Sequence, residues 1–380
     1  VRHAEPIHPA APLLPHCQPS LPAHTYFDED RYRRELAEIW GRNWIYVARE
    51  NDVAPGSIRR ISVAGQNLIL VRDREGGVTC FHNTCRHRGA ELCSEPERRL
   101  KSRLIVCPYH QWSYTLQGDL ASTPFVSVTD DFRREDHGLF RVHVREWNGF
   151  LFVCLSDAPP DFEKAPDMGA GYLDNWPMRD LVTRHRFSKV LNCNWKIFWE
   201  NYNECLHCPG IHPELSEAVP IYGKGYMAAN EMPGWSPESG AATGLKPGHA
   251  TWSMNGRLCG PAFPGLTEAE LEAGQHFVTL LPTMFVVAHA DYVRPVSLHP
   301  LGPERTEIRA EWLFLPEVMA APDFDMANVV DFATLVLQQD GEAAEMNQRG
   351  LRAAPFRQGV LMPQEFDVYR FQQWVLGQLA

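Results

Sequence analysis

No stretch of this sequence approaches the roughly 18 uninterrupted apolar residues needed to cross a bilayer. Its most apolar run, Phe277 to Ala290, is 14 residues long and already contains Pro282 and two threonines, so it predicts buried sheet. The N-terminus lacks the charged and then continuously apolar layout of an export signal, with six prolines in the first 23 residues. A cytoplasmic location is the expectation. Positive charge is also short: Lys and Arg number 36 against 47 Asp and Glu, a net of -11. Clustered cations are needed to displace counterions from nucleic acid, so a nucleic-acid surface is excluded. No dinucleotide fingerprint is present, since Gly223-Lys224-Gly225 is a lone G-x-G.

What the chain does have is cysteine and histidine, ten and sixteen in 380 residues. In a reducing compartment Cys and His in close company suggest metal more than disulfides. The length predicts two domains. Residues 1–24 are Pro- and His-rich and predict an arm over another surface. Helical spacing of Tyr32, Leu36, Ile39 and Trp40 predicts a helix over 28–42. Short β-rich runs follow to Ser156, including Ile61 to Val63, Asn67 to Val71, Leu104 to Cys107 and Gly149 to Leu155, and predict a small all-β domain. After a linker at 157–167, we expect a strand at 185–191, a helix at 195–206 and a loop-rich stretch at 209–265. Antiparallel strands at 276–281, 284–289, 291–299 and 306–315 and helices at 325–348 and 364–378 complete an α+β pattern. The expected divisions are 1–42, 43–160 and 161–380.

Two constellations carry chemistry. Cys85-Arg86-His87 and Cys107-Pro108-Tyr109-His110 form C-x-H, nineteen residues, then C-x-x-H. Two thiolates and two imidazoles on close-set loops suit a [2Fe-2S] cluster, with sulfur on one iron and nitrogen on the other, which raises the potential. Gly89 is expected to allow close backbone approach and Pro108 to stiffen a tip. Zinc or incidental burial are the alternatives. Cys80 and Cys93 lie outside the pattern and read as packing residues.

The second lies in Glu200-Asn201-Tyr202-Asn203-Glu204-Cys205-Leu206-His207-Cys208-Pro209-Gly210-Ile211-His212. Glu204 and His207, three apart on a helix, are neighbours. A break at Pro209-Gly210 lets His212 fold back toward His207. Two histidines and a carboxylate make an open iron site. Cys205 and Cys208 share one face while His207 points elsewhere, and read as packing.

The chain resembles the Rieske non-haem iron oxygenases over residues 24–378. That resemblance implies a Rieske β domain followed by a helix-grip domain, an antiparallel sheet wrapped on a long helix. It also implies that Asp340, ahead of Gln348-Arg349-Gly350-Leu351, joins His207 and His212 on Fe(II), with Glu342 as the rival ligand. Relatives form homotrimers, which would bring His110 of one copy to Glu204 of the next; most place aspartate at that bridge. A separate NAD(P)H-dependent flavin or iron–sulfur reductase is implied, with O2 as co-substrate.

The Asn-Glu-Cys-x-His-Cys-Pro context, Ala290-Asp291-Tyr292-Val293 and Pro300-Leu301-Gly302-Pro303 are most similar to the choline monooxygenase, glycine betaine and stachydrine demethylase and carnitine monooxygenase subgroup. A quaternary ammonium substrate, oxidised at an N-methyl or adjacent carbon, follows from that resemblance. Trp235, Trp252, Phe277, Phe285 and Tyr292 are candidate cage residues, and His289 is either a polar handle or a sheet residue. Alternatives are aromatic hydroxylation, a plain Rieske electron carrier, and a ligand-binding module with vestigial metal sites.

Overall fold

The computed structural model describes residues 11–169, 171–236 and 244–380. The first ten residues of the expected arm, and residues 237–243 of the expected loop stretch, lie outside the described residues. The chain divides into two compact units, one of residues 36–169 with 281–283, the other of residues 1–35, 170–280 and 284–380.

The smaller unit is built on a seven-stranded antiparallel sheet. Its order is Ile45–Arg49, Phe150–Cys154, Arg141–Trp147, Val78–His82, Gln66–Arg72, Ser57–Val63 and Glu97–Arg99. A three-stranded sheet of Leu104–Val106, Ser113–Thr115 and Leu120–Ser122 accompanies it. Ile58, Ile69, Val71, Phe81, Ile105 and Tyr114 form an apolar core into which Cys85 and Cys107 are drawn from their loops. The helix expected over 28–42 is shorter and changes pitch: Glu29–Glu35 is α-helical and Leu36–Trp40 a π turn.

The larger unit holds a five-stranded antiparallel sheet ordered Val182–Leu191, Arg305–Phe314, Val293–Gly302, Met284–His289 and Gln275–Leu280. Every residue of Met284–His289 is buried, as its continuous apolar run requires. The edge strand Val182–Leu191 instead alternates, with Arg184, Arg186 and Ser188 outward. The long helix Met326–Leu351 begins at Asp325, whose carboxylate accepts from the Asn328 N–H. Its buried positions Val329, Val330, Ala333, Val336, Leu337, Gly341, Ala344 and Gln348 recur at three and four, which lays one stripe on the sheet. A Cβ at Gly341 would stand 2.7 Å from Leu191 Cδ2, so glycine lets the helix settle on the strand end. Part of the N-terminal arm is itself sheet: Gln18–Pro22 pairs with Gln358–Leu361.

Helix Trp195–Tyr202 carries the first half of the second constellation. It starts at Asn194, whose side chain accepts from the Lys196 N–H, and ends four residues before the expected Leu206. Trp195, Lys196, Ile197, Phe198 and Trp199 are all buried, and the buried cation is answered by Glu35. Lys196 Nζ donates to both carboxylate oxygens at 2.8 and 2.7 Å, Trp195 Nε1 donates at 2.9 Å, and Arg31 Nε at 2.9 Å. Neither Glu35 nor Lys196 has any exposed side-chain surface. Removing one member strands the other charge in low dielectric, so Glu35→Gln is expected to destabilise the larger unit by ~3–5 kcal/mol. The shift in the urea midpoint, followed by tryptophan fluorescence, checks this.

Candidate iron centres and their cavity

The first constellation forms two loop tips of similar construction. Cys85 N–H donates to Ala90 O at 2.8 Å and Gly89 N–H to Cys85 O at 2.9 Å; Cys107 N–H donates to Trp112 O at 2.8 Å and Gln111 N–H to Cys107 O at 3.1 Å. Each tip turns through a left-handed residue, Gly89 at φ 76° and Gln111 at φ 59°. Gly89 is needed for that conformation and not for close approach, since the nearest atom to a Cβ there would be Thr84 Oγ1 at 3.8 Å.

Cys85 and Cys107 are buried, and burial foremost, with the adjacent Cys85 thiol, pushes the Cys107 thiol up. The His87 and His110 rings lie 4.7 Å apart, and His87 stacks on Trp112 at 4.7 Å. His87 Nδ1 is buried with no hydrogen-bond partner, an orphan that a metal bond would satisfy. Burial, then His110 and Arg88, hold His87 below its ordinary value, which favours the neutral ring a metal needs. The donor set therefore fits a two-iron cluster. Tyr114, unmarked in the sequence, has its hydroxyl 3.2 Å from Cys85 Sγ while accepting from the Arg86 N–H at 3.0 Å. Cys80 and Cys93 are buried.

The second constellation closes differently from the sequence expectation. Glu204 is not on a helix: Trp195–Tyr202 has ended, and Glu204 Oε2 accepts from the Leu206 N–H, and from the His207 N–H at 3.3 Å. Glu204 Oε1 meets His207 Nδ1 at 2.6 Å. One carboxylate thus caps the next turn and orients the ring, a double reach that glutamate's extra methylene favours. Pro209 and Gly210 do not break the chain either, being inside the short helix Cys208–Ile211, where proline is tolerated at the first turn. The break falls at His212, with φ -120° and ψ 71°, because Pro213 follows it and begins helix Pro213–Ala218.

His207 Nε2 and His212 Nε2 come within 3.2 Å, and Asp340 Oδ1 lies 2.9 Å from His212 Nε2 and 3.5 Å from His207 Nε2. His212 Nδ1 meets Gln339 Oε1 at 2.8 Å, and Gln339 Nε2 donates to Glu214 Oε2 at 2.9 Å. Both Nδ1 atoms are thereby engaged, which leaves both Nε2 atoms for a metal. Three donors converge on one point and fit an iron ion. The rival Glu342 is exposed, and Glu345 accepts from the Asn192 N–H at 2.8 Å.

Cys205 and Cys208 pack in the buried apolar cluster, as expected, but not as free thiols. They are joined in a disulfide and border the cavity beside the histidines, with Cys208 Sγ 4.0 Å from His207 Nε2. His207, Cys208 and His212 do group within 4.8 Å, but a bonded sulfur is no thiolate, so Asp340 is the better third donor.

A cavity of about 90 Å³ opens onto these donors. Of the expected cage residues, Trp252, Phe277 and Phe285 line it, and Trp235, His289 and Tyr292 do not. His289 and Tyr292 are fully buried behind Trp252: their rings stack at 4.3 Å, and Tyr292 donates to Trp252 O at 2.9 Å. Trp235 packs at the margin of the neighbouring apolar cluster. Tyr202, Tyr222 and Arg294 line the cavity and were missed. Tyr202 stacks on Phe285 at 4.2 Å. Pairing of Phe277 with Val287, Val287 with Arg294, and Thr279 with Phe285 sets Phe277, Phe285 and Arg294 on one sheet face. Period-two alternation along these strands holds that signal.

Residues 178–380 match the family described as ring hydroxylating alpha subunit (catalytic domain), and residues 43–133 match the Rieske [2Fe-2S] domain. The chain belongs to the ring-hydroxylating alpha-subunit family and is a Rieske-type oxygenase, using a [2Fe-2S] cluster, mononuclear iron and dioxygen. Such enzymes draw on a separate reductase and act on a small molecule.

Among relatives, it is 29% identical to the glycine betaine monooxygenase oxygenase subunit of Chromohalobacter salexigens, over 93% of this chain and 84% of that one. It is 26% identical to the carnitine monooxygenase oxygenase subunit of Acinetobacter baumannii, over 90% and 88%. The solved quaternary ammonium Rieske monooxygenase CntA shares the fold, with a TM-score of 0.73 and 21% identity over 96% of both chains.

Two predictions follow from the geometry. A hydrogen bond of ~1 kcal/mol felt by one redox state corresponds to roughly 40 mV for one electron. Tyr114→Phe is therefore expected to lower the cluster's potential by about that amount, read by redox titration. At the second site, burial disfavours the His207 cation, but hydrogen bonds to Asp340 and Glu204 outweigh it and push the ring up to about 9. Asp340 likewise raises His212 against burial. Below about 9 the His207 ring is protonated, and a metal must displace that proton. Fe(II) affinity of the metal-free protein should fall about tenfold per pH unit for each proton displaced as pH drops below about 9. Anaerobic iron titration at several pH values checks it.

Proposed function

We propose that this chain is the terminal oxygenase of a multicomponent monooxygenase that hydroxylates, and so N-demethylates, a small quaternary ammonium substrate. One observation carries the reading: three iron-ready donor atoms open onto a cavity walled by the aromatic faces of Tyr202, Tyr222, Trp252, Phe277 and Phe285. A permanent cation needs no base to hold it; aromatic faces attract it through their quadrupoles. The named activities of the betaine and carnitine relatives support the same substrate class.

In this reading Cys85, His87, Cys107 and His110 hold the cluster, and His207, His212 and Asp340 hold the mononuclear iron. The bound metals supply one-electron transfer and dioxygen activation. The side chains do the rest. Glu204 and Gln339 hold the imidazoles by their Nδ1 atoms. The aromatic wall excludes water and presents one N-methyl group to the iron side. The methyl C–H gains one oxygen atom; the other leaves as water with two electrons and two protons. The resulting carbinolamine releases formaldehyde and a proton, leaving the demethylated amine.

A homotrimer in which His110 of one copy meets Glu204 of the next completes the electron path. The support is that Glu204 retains some exposed surface beside His207, and that Tyr109, next to His110, is well exposed. An NAD(P)H-dependent flavin or iron–sulfur reductase is the partner, and the cytoplasm the expected setting. No helix among the described residues is long and apolar enough to cross a membrane.

Aromatic hydroxylation is the alternative, and it would leave the cation-attracting character of the aromatic wall unused. Oxygen uptake and formaldehyde release with betaines, against hydroxylation of benzoate-like acids, test the choice; turnover of aromatic acids alone would refute the proposal. Asp340→Ala is expected to cut turnover by at least ~100-fold while the visible spectrum of the cluster persists. Normal turnover in that variant would remove Asp340 from the ligand set.

A further inference from the structure

The cavity wall contains a charge that N-demethylation by itself leaves unused. Arg294 is 3% exposed, on strand Val293–Gly302, on the sheet face it shares with Phe277 and Phe285. Its Nε is buried with no hydrogen-bond partner, and among the described residues no carboxylate forms an ion pair with it. Asp340 influences it electrostatically, but that carboxylate is already engaged by His207 and His212. Burial weakens the guanidinium's hold on its proton. A buried guanidinium without an anion is costly and stays only where something answers it. The surrounding lining is mostly aromatic and aliphatic, and its two carboxylates, Glu204 and Asp340, are committed to His207 and His212.

We propose that Arg294 binds the carboxylate of the substrate, so that this site selects zwitterionic betaines over quaternary ammonium compounds that lack a carboxylate. The inference rests on the quaternary ammonium reading above and narrows it. A guanidinium offers a planar fork that matches a carboxylate with two parallel hydrogen bonds. The ammonium end then meets the aromatic faces of Tyr202, Trp252, Phe277 and Phe285. Anchoring both poles fixes the molecule's long axis, which a symmetrical trimethylammonium group cannot do alone. The zwitterion also brings no net charge into the pocket. A plain cation such as choline is repelled by Arg294 and leaves it unpaired.

The experiment uses holoenzyme loaded with both metal centres, with a reductase, and compares glycine betaine, choline and salicylate. Wild type is expected to favour glycine betaine over choline by about 100-fold in kcat/KM for formaldehyde release. Arg294→Gln should reduce that ratio to within about tenfold, chiefly through KM for betaine, and Arg294→Lys should retain part of it. An unaltered cluster spectrum confirms that each variant is folded. Should a variant fail to fold, the wild-type ratio still decides.

Comparable wild-type turnover of betaine and choline overturns the inference and leaves the quaternary ammonium reading standing. So does an unchanged ratio in a folded Arg294→Gln. Salicylate hydroxylation without formaldehyde from either quaternary ammonium overturns both.

Discussion

His207 and His212 are each held by the ring nitrogen that points away from Asp340. His207 is gripped by Glu204 and His212 by Gln339, and neither ring can turn without giving up a half-buried hydrogen bond. The Glu204 carboxylate caps the turn after helix Trp195–Tyr202 while it orients a ring, so the backbone path and the site geometry are set by the same group. Gln339 and Asp340 are consecutive on the long helix, one orienting His212 from behind while the other faces both Nε2 atoms. The helix termini, the Pro213 break and the seating of Met326–Leu351 on the sheet all serve to keep those donors within a few ångströms.

Much of this was legible in the sequence because metal chemistry uses few residue types at tight spacings. The cluster motif and the His207, His212 and Asp340 set could be named from residue type, from proximity and from family resemblance. The route by which His212 returns was misplaced, since Pro209 is harmless at a helix start whereas Pro213 constrains the residue before it. The substrate pocket was harder. Aromatic residues in strands fill cores as readily as cages, and neither residue type nor spacing shows which of them border the cavity. Phe277 and Phe285 do; Tyr292 and His289 lie one layer behind. Tyr114 and Arg294 were invisible for a different reason: their roles lie in what they touch or fail to touch across the fold, which no local spacing encodes. The Cys205–Cys208 pair escaped because a helix was assumed to continue through it.

The two centres differ in the surroundings they give their ligands. At the loop tips the thiols are sunk into an apolar core while the imidazoles ride outward, one stacked on Trp112. At the second site the donors are all half-sheltered or buried, and the wall opposite is aromatic with a single cation. The first arrangement suits a group that exchanges electrons near the surface. The second suits one that must keep water from a reactive oxidant while admitting a charged guest.

Directly after Asp340 in the chain stands a residue with no side chain, pressed against Leu191. The thickness of one leucine is therefore the shim that sets how far the carboxylate's helix rides above the sheet. Bulk added on either side of that contact would jack the oxygen away from the two rings without touching a single ligand. The tolerances of the metal centre are thus written into a hydrocarbon seam that has no chemistry of its own.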